Sequence, residues 1–150
     1  MPTLSFDHTH LTFLRLMEKY HVQYLMIGGY AVQFHGIERQ TSDLDVWVGD
    51  DRENIDHLKL AVAEFGYQEL DKIEELYTDP ELILPVGKPD SPIELMTHLS
   101  GVDFAACHLR RSKTQINSVP VSIISKADLV AYKRAYGRPK DLADAERLEQ

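Results

Sequence analysis

One cysteine, Cys107, in 150 residues leaves no internal disulfide and no Cys-x-x-Cys pair for zinc or redox chemistry. Basic residues are also scarce: 16 lysines and arginines stand against 24 acidic residues, for a formal charge of -8. A broad grip on a nucleic-acid backbone needs a basic face, so any such contact is expected to be local. No apolar run reaches the ~18 residues that a membrane span requires. The N-terminus also lacks a cationic start followed by an apolar stretch. Membrane spanning and secretion are therefore not expected, and a reducing cytoplasm fits the lone thiol. Apolar content is plentiful at 43%, enough at this length for the core of one domain spanning residues 1–150.

Hydrophobic spacing gives the elements. Leu11, Leu14 and Met17, with Phe13, Leu16 and Tyr20, predict an amphipathic helix over 5–20, with Ser5 or Asp7 as its N-cap. Tyr24 to Ile27 is a short apolar run that ends at Gly28-Gly29, after which Ala31, Val32, Phe34 and His35 return to helical spacing: strand, tight turn, helix. Leu44 to Val48 alternates as a strand. A helix follows through Ile55, Leu58, Leu60, Val62 and Phe65, stopped by Gly66. Prolines at 80, 85, 89 and 92 break the next segment into extended pieces, read as strands over 76–84 and 93–97. Segments 110–116 and 119–124 read as a hairpin about Asn117-Ser118. A helix capped at Ser125 runs to Gly137, and a last helix begins at Pro139. The fold class is α+β (α/β): a mixed sheet flanked by helices, with a helical C-terminus.

Asp43 and Asp45 lie two apart at a strand entrance, so the period of two aims both carboxylates to one side. Like charges this close repel unless protonated or bridged, and hard oxygen ligands favour magnesium or manganese, which in turn hold nucleotide phosphates. Gly28-Gly29 supplies an approach of the other kind, because backbone N–H groups at a strand-to-helix turn meet a phosphate with no side chain in the way. Each feature alone reads as an ordinary strand entrance or turn. Together, in this order, they point to a phosphate cradle followed by a metal clamp.

The series Gly28-Gly29-Tyr30-Ala31, His35-Gly36, Arg39, Thr41 and Asp43-Leu44-Asp45 resembles the opening motif of the DNA polymerase β-type nucleotidyltransferase superfamily, most closely its small bacterial abortive-infection toxin-like members. The resemblance implies that Gly28 and Gly29, with Arg39 and Thr41, bind the nucleotide, and that Asp43 and Asp45 bind Mg2+ or Mn2+. The family's third carboxylate is usually Asp; here the matching place, in Pro92-Ile93-Glu94-Leu95-Met96, holds Glu94. Asp128 to Lys133, Gly137 to Asp141 and Asp144 are similar to the family's C-terminal helices, which implies that Lys133, Arg138 and Lys140 bring positive charge to the triphosphate.

The implied activity is transfer of a nucleoside monophosphate from an NTP to a hydroxyl on a small molecule, tRNA or protein, possible roles being a toxin–antitoxin or phage-defence component with a cognate protein partner. The acidic charge disfavours tRNA unless Arg110, Arg111 and Lys113 form a local basic strip. The Glu94 departure motivates a second reading, a catalytically weak nucleotide-binding or protein-interaction module. A third is a structural α/β domain with a solvated acidic loop. The histidines share no ligand spacing, and His8 and His10 read as belonging to a frayed terminus. His35 and Trp47 read as packing residues, the latter beside Ile27 and Phe65, and Cys107 as a buried thiol.

Overall fold

Asp7 starts the first helix, its carboxylate accepting from the backbone N–H groups of Thr9 (2.7 Å) and His10 (3.3 Å). In this computed structural model, which describes residues 6–150, α1 runs His8–Lys19, and the other candidate cap, Ser5, lies outside the described residues. Leu11, Phe13, Leu14, Leu16 and Met17 are buried along it, as their spacing requires. β1 (Tyr24–Ile27) is buried throughout and passes directly into α2 (Gly28–Phe34).

β2 (Leu44–Val48) pairs antiparallel with β1 and parallel with β4 (Ile93–Met96). The expected alternation fails at its end: Trp47 and Val48 are both buried, and Asp45 alone interrupts the burial. A central strand covered on both faces loses the two-sided pattern of a half-exposed one. The sheet has six strands in the order β3-β4-β2-β1-β6-β5, where β3 is Leu84–Pro85, β5 Ser112–Ile116 and β6 Val119–Ile123. β6 joins β1 in parallel, and β5 closes on β6 as the predicted hairpin. Its turn residues Asn117 (φ 50°) and Ser118 (φ 67°) both take the left-handed conformation that a two-residue turn between twisted strands demands.

α3 (Arg52–Phe65) is capped by Asp51 and stopped by Gly66 at φ 111°. Leu60, placed on its apolar face from sequence, is 55% exposed. The strand expected over 76–84 is corrected: α4 (Leu70–Thr78) occupies its start and leaves only β3 extended. Ile73 and Leu76, three apart and both buried, belong to a helix face, and the prolines exert their influence only after Thr78. α5 (Phe104–Leu109), capped by Asp103, has no counterpart in the sequence reading. α6 (Lys126–Tyr136) begins at the Ser125 cap and ends at Gly137 in the left-handed region. α7 (Pro139–Leu148) follows with proline in its first turn. No helix among the described residues is long and apolar enough to cross a membrane.

Candidate active site

β1 delivers its last residue, Ile27, opposite Asp45 of β2. Gly28 follows at φ +70°, and a Cβ added there would lie 2.2 Å from Asp45 Oδ2. Both the left-handed backbone and the lack of space require glycine. A Cβ at Gly29 would lie 2.6 Å from Thr41 Oγ1 and 3.8 Å from Arg39 Cδ. The turn thus gathers Gly28, Gly29, Arg39, Thr41 and Asp45, residues spread over two segments of the sequence. Among the described residues no side chain caps the N-terminus of α2, so its first N–H groups remain free to donate, although with 7 residues the helix contributes little dipole.

Glu94 stands opposite Asp45 in the β2–β4 register, and Asp43 immediately precedes β2. Asp43 is exposed and accepts from the Ser42 hydroxyl at 3.1 Å, while Asp45 and Glu94 are half-buried. Burial pushes the Asp45 carboxyl up to about 6; the charges of Glu94 and Asp43 add to this, and Lys133 offsets part of it. Among the described residues no three His, Cys, Asp or Glu side chains converge closely enough to cage a metal ion. The chemistry of the donors nevertheless suits a hard divalent cation: carboxylates from adjacent strands, with Asp45 half-buried beside a backbone that admits no side chain.

The positive charges come from α6, α7 and the loop before β2. Lys133, 6% exposed, sits with Nζ 3.1 Å from Asp144 Oδ2 and 3.7 Å from Asp141 Oδ1. Arg39 also donates to Asp144, and Arg138 donates to Asp141, with Nη2–Oδ1 at 3.3 Å. Burial raises the Asp144 carboxyl, but the hydrogen bonds from Arg39 and Lys133 outweigh it and hold the group below the ordinary carboxylate range. The structure therefore brings Arg39 and Lys133 together through Asp144, and Lys133 and Arg138 through Asp141. Lys140 is exposed and joins no ion pair among the described residues, reaching the cluster only through the effect of its charge on Asp141. Tyr132, buried beside Lys133, was not singled out from sequence; burial and then the Asp45 charge raise its phenol, which puts it within electrostatic reach of the carboxylates.

His10 corrects the sequence reading most sharply. It is fully buried rather than part of a frayed end. Nε2 lies 3.0 Å from the Pro92 carbonyl, which can only accept, so Nε2 carries a proton, and Nδ1 is hydrogen-bonded to the Tyr30 hydroxyl at 3.0 Å. The Pro92 carbonyl also accepts from the backbone N–H of Leu44 at 3.0 Å. One carbonyl therefore ties the residue between Asp43 and Asp45 to the segment that enters Glu94. Asp7 adds a second tie, accepting from Ser91 Oγ at 2.8 Å. The available signal was spacing: His10, Leu14 and Met17 fall at i, i+4 and i+7 on the buried face of α1.

The packing residues behave as their types suggest. Trp47 is 1% exposed, donates to the Thr97 carbonyl at 3.0 Å and meets Phe104 edge to face, while Phe65 pairs instead with Phe13. Cys107 is buried, and burial followed by the Asp128 charge pushes its thiol up to about 11. His35 is half-buried with Nε2 2.8 Å from the Ile124 carbonyl. A cavity of about 570 Å³ floored by Trp47 and Phe104 lies at the other end of β2 and contains none of the clustered carboxylates.

No sequence-family model and no curated protein matches the chain. Solved structures share its architecture, two of them as follows. The lincosamide antibiotic adenylyltransferase LnuA, in lincomycin-bound form, superposes with a TM-score of 0.55 at 14% identity, covering 99% of this chain and 99% of that one. An antigenic nucleotidyltransferase-like protein from Paracoccidioides brasiliensis superposes with a TM-score of 0.50 at 17% identity, covering 94% of this chain and 72% of that one. At such identities the likeness is one of fold: this chain has the nucleotidyltransferase-like α+β fold.

Proposed function

We propose that the chain is a divalent-cation-dependent nucleotidyltransferase that moves a nucleoside monophosphate from an NTP to a hydroxyl acceptor. One observation carries the reading. Asp45, a half-buried carboxylate with its pKa pushed up to about 6, stands in register with Glu94 and two residues from Asp43, where the Gly28 backbone leaves no room for a side chain. A group so costly to ionise is retained for a counter-ion.

In this reading the acceptor oxygen attacks the α-phosphorus, the bond to the β-phosphate bridging oxygen breaks, and pyrophosphate leaves with that electron pair. Glu94 takes the hydroxyl proton. Asp43, Asp45 and Glu94 would hold Mg2+ or Mn2+, which when bound supplies charge stabilisation to the phosphate oxygens. The N–H groups of Gly28 and Gly29 face the phosphates, Arg39 and Thr41 line the same turn, and Lys133, with Arg138 behind it, balances their charge. Lys140 supports the triphosphate only if it moves towards the cluster.

The lincomycin-bound neighbour makes a small-molecule hydroxyl the first acceptor to test, with a tRNA end and a protein side chain behind it. A cytoplasmic toxin–antitoxin or phage-defence setting rests on motif resemblance alone. Glu94 in place of the family's usual Asp favours the second reading, a weakly catalytic nucleotide-binding module. Mass spectrometry of lysate reactions with each labelled NTP tests for transfer and identifies the acceptor. Asp45→Asn should abolish transfer while preserving the thermal midpoint in EDTA; wild-type turnover by that variant would sink the assignment. Calorimetry with Mg-NTP separates the two readings, since tight binding without product supports the second.

A further inference from the structure

Beyond the start of β1, at the opposite end of that strand from Ile27 and Asp45, two basic side chains share one wall. A cavity of about 430 Å³ opens there against β5 and β6, and Arg111, Lys113, His21 and His108 line it, with Glu18 the one acidic side chain on its wall. In a chain of formal charge -8, a wall on which Arg111 and Lys113 outnumber the one acid goes against the overall balance.

The basic strip marked in the sequence divides in the fold. Arg110 turns to Asp128, with Nη2–Oδ1 at 2.9 Å and Nε–Oδ2 at 3.1 Å. Arg111 and Lys113 join no ion pair among the described residues. Arg111 is half-buried and held in place, Nη1 donating to the His108 carbonyl at 2.8 Å, while its Nε is buried without a partner among the described residues. A guanidinium already fixed loses little entropy on meeting an anion. Burial, then the charges of Arg111 and Lys113, hold the His108 imidazole below its ordinary pKa. The remaining wall combines apolar Val22 and Val121 with polar Thr114 and Ser122, and the volume exceeds that of a bare phosphate.

We propose that this cavity is a second anion site, separate from the carboxylate cluster, which binds the phosphate of a nucleotide ester, either free or at a position along a single strand. Arg111 supplies the oriented fork, Lys113 the mobile charge, and the apolar wall accommodates the sugar or base.

The test uses the full chain in EDTA, where the carboxylate cluster repels phosphate and binding reports the cavity. AMP and a short oligoadenylate serve as probes by calorimetry, with ring resonances of the histidines followed by NMR. Binding of either probe is expected, with shifts at His21 and His108 and none at His10 or His35. Arg111→Gln with Lys113→Gln should weaken it by about tenfold or more, the loss expected for charge-assisted hydrogen bonds, and Asp45→Asn should leave it unchanged. Tighter binding of AMP assigns a free nucleotide; tighter, salt-sensitive binding of the oligomer assigns a strand. If the double variant loses its thermal midpoint, Lys113→Glu alone carries the test, because Lys113 is exposed. Absence of binding by both probes, affinity unchanged in these variants, or loss of binding in Asp45→Asn overturns the proposal.

Discussion

Replacing Gly28 by alanine combines two effects that the structure superimposes at one residue, and Gly36 offers the means to separate them. Both glycines have positive φ, +70° at Gly28 and +107° at Gly36. A left-handed backbone costs an L residue roughly 1–2 kcal/mol. At Gly36 an added Cβ meets nothing within 4 Å, whereas at Gly28 it would sit 2.2 Å from Asp45 Oδ2. That overlap forces the carboxylate off its rotamer or shifts β2 against β1, which adds about 1–3 kcal/mol. Gly36→Ala should therefore lose about 1–2 kcal/mol and Gly28→Ala about 2–5 kcal/mol. With a midpoint shift of about 3 °C per kcal/mol for a chain of this size, differential scanning fluorimetry resolves the two. Function should divide more sharply: Gly36→Ala keeps Mg-NTP binding and transfer, and Gly28→Ala loses both because Asp45 has moved. Equal midpoints together with equal nucleotide binding in the two variants would refute the close approach of Gly28 to Asp45 and the site built upon it.

Lys133→Met should destabilise the chain by about 3 kcal/mol in urea unfolding, since it leaves Asp141 and Asp144 with only Arg138 and Arg39 as partners; a loss below 1 kcal/mol would show that the ion pairs are solvent-exposed in solution. His10→Leu should cost about 2–3 kcal/mol by removing the side-chain partner of the Tyr30 hydroxyl and leaving the Pro92 carbonyl with one donor, and His10→Gln should recover part of it; equal stability of the two variants would remove the hydrogen bonds from the account. Acid should erase one further contribution. Burial raises the Asp128 carboxyl, but hydrogen bonds from Arg110 and Ser125 outweigh it and lower the folded pKa. That stability is present above the unfolded value of about 3.9 and is lost as pH falls through the folded one. The difference between wild type and Asp128→Asn, about 2 kcal/mol at pH 7, should shrink below about pH 4; a difference that grows with acid would reverse the sign of the argument.

Local chemistry was legible where one residue type decides the outcome. Gly66 and Gly137 stop their helices, Ser125 opens α6, and Asn117-Ser118 turns the hairpin, because each conformation is set within a few residues. The Gly28-Gly29 turn and the Asp43–Asp45 spacing were legible for the same reason. Segment 70–84 was misread because its prolines lie at the C-terminal side of a helix face that Ile73 and Leu76 define, and only docking of α4 against α3 settles which pattern prevails. The shared Asp144 that joins Arg39 to Lys133 and the carbonyl of Pro92 that joins His10 to Leu44 left no mark in the sequence. They depend on tertiary geometry, and a carbonyl carries no residue type at all.

The separation along the chain of the groups that meet around Asp45 sets when this site comes into being. His10 reaches Pro92 across 82 positions, and Arg39 reaches Asp144 across 105. Loops of that span close late, after local helices and the hairpin have formed. A nascent chain that has left the ribosome as far as β4 holds all three carboxylates but lacks Lys133 and Asp144. The charge cluster is assembled only when α6 and α7 have been synthesised and packed. Truncation within α7 ahead of Asp144 should therefore leave Arg39 and Lys133 without their shared partner while Gly28, Gly29, Asp43, Asp45 and Glu94 remain in the chain.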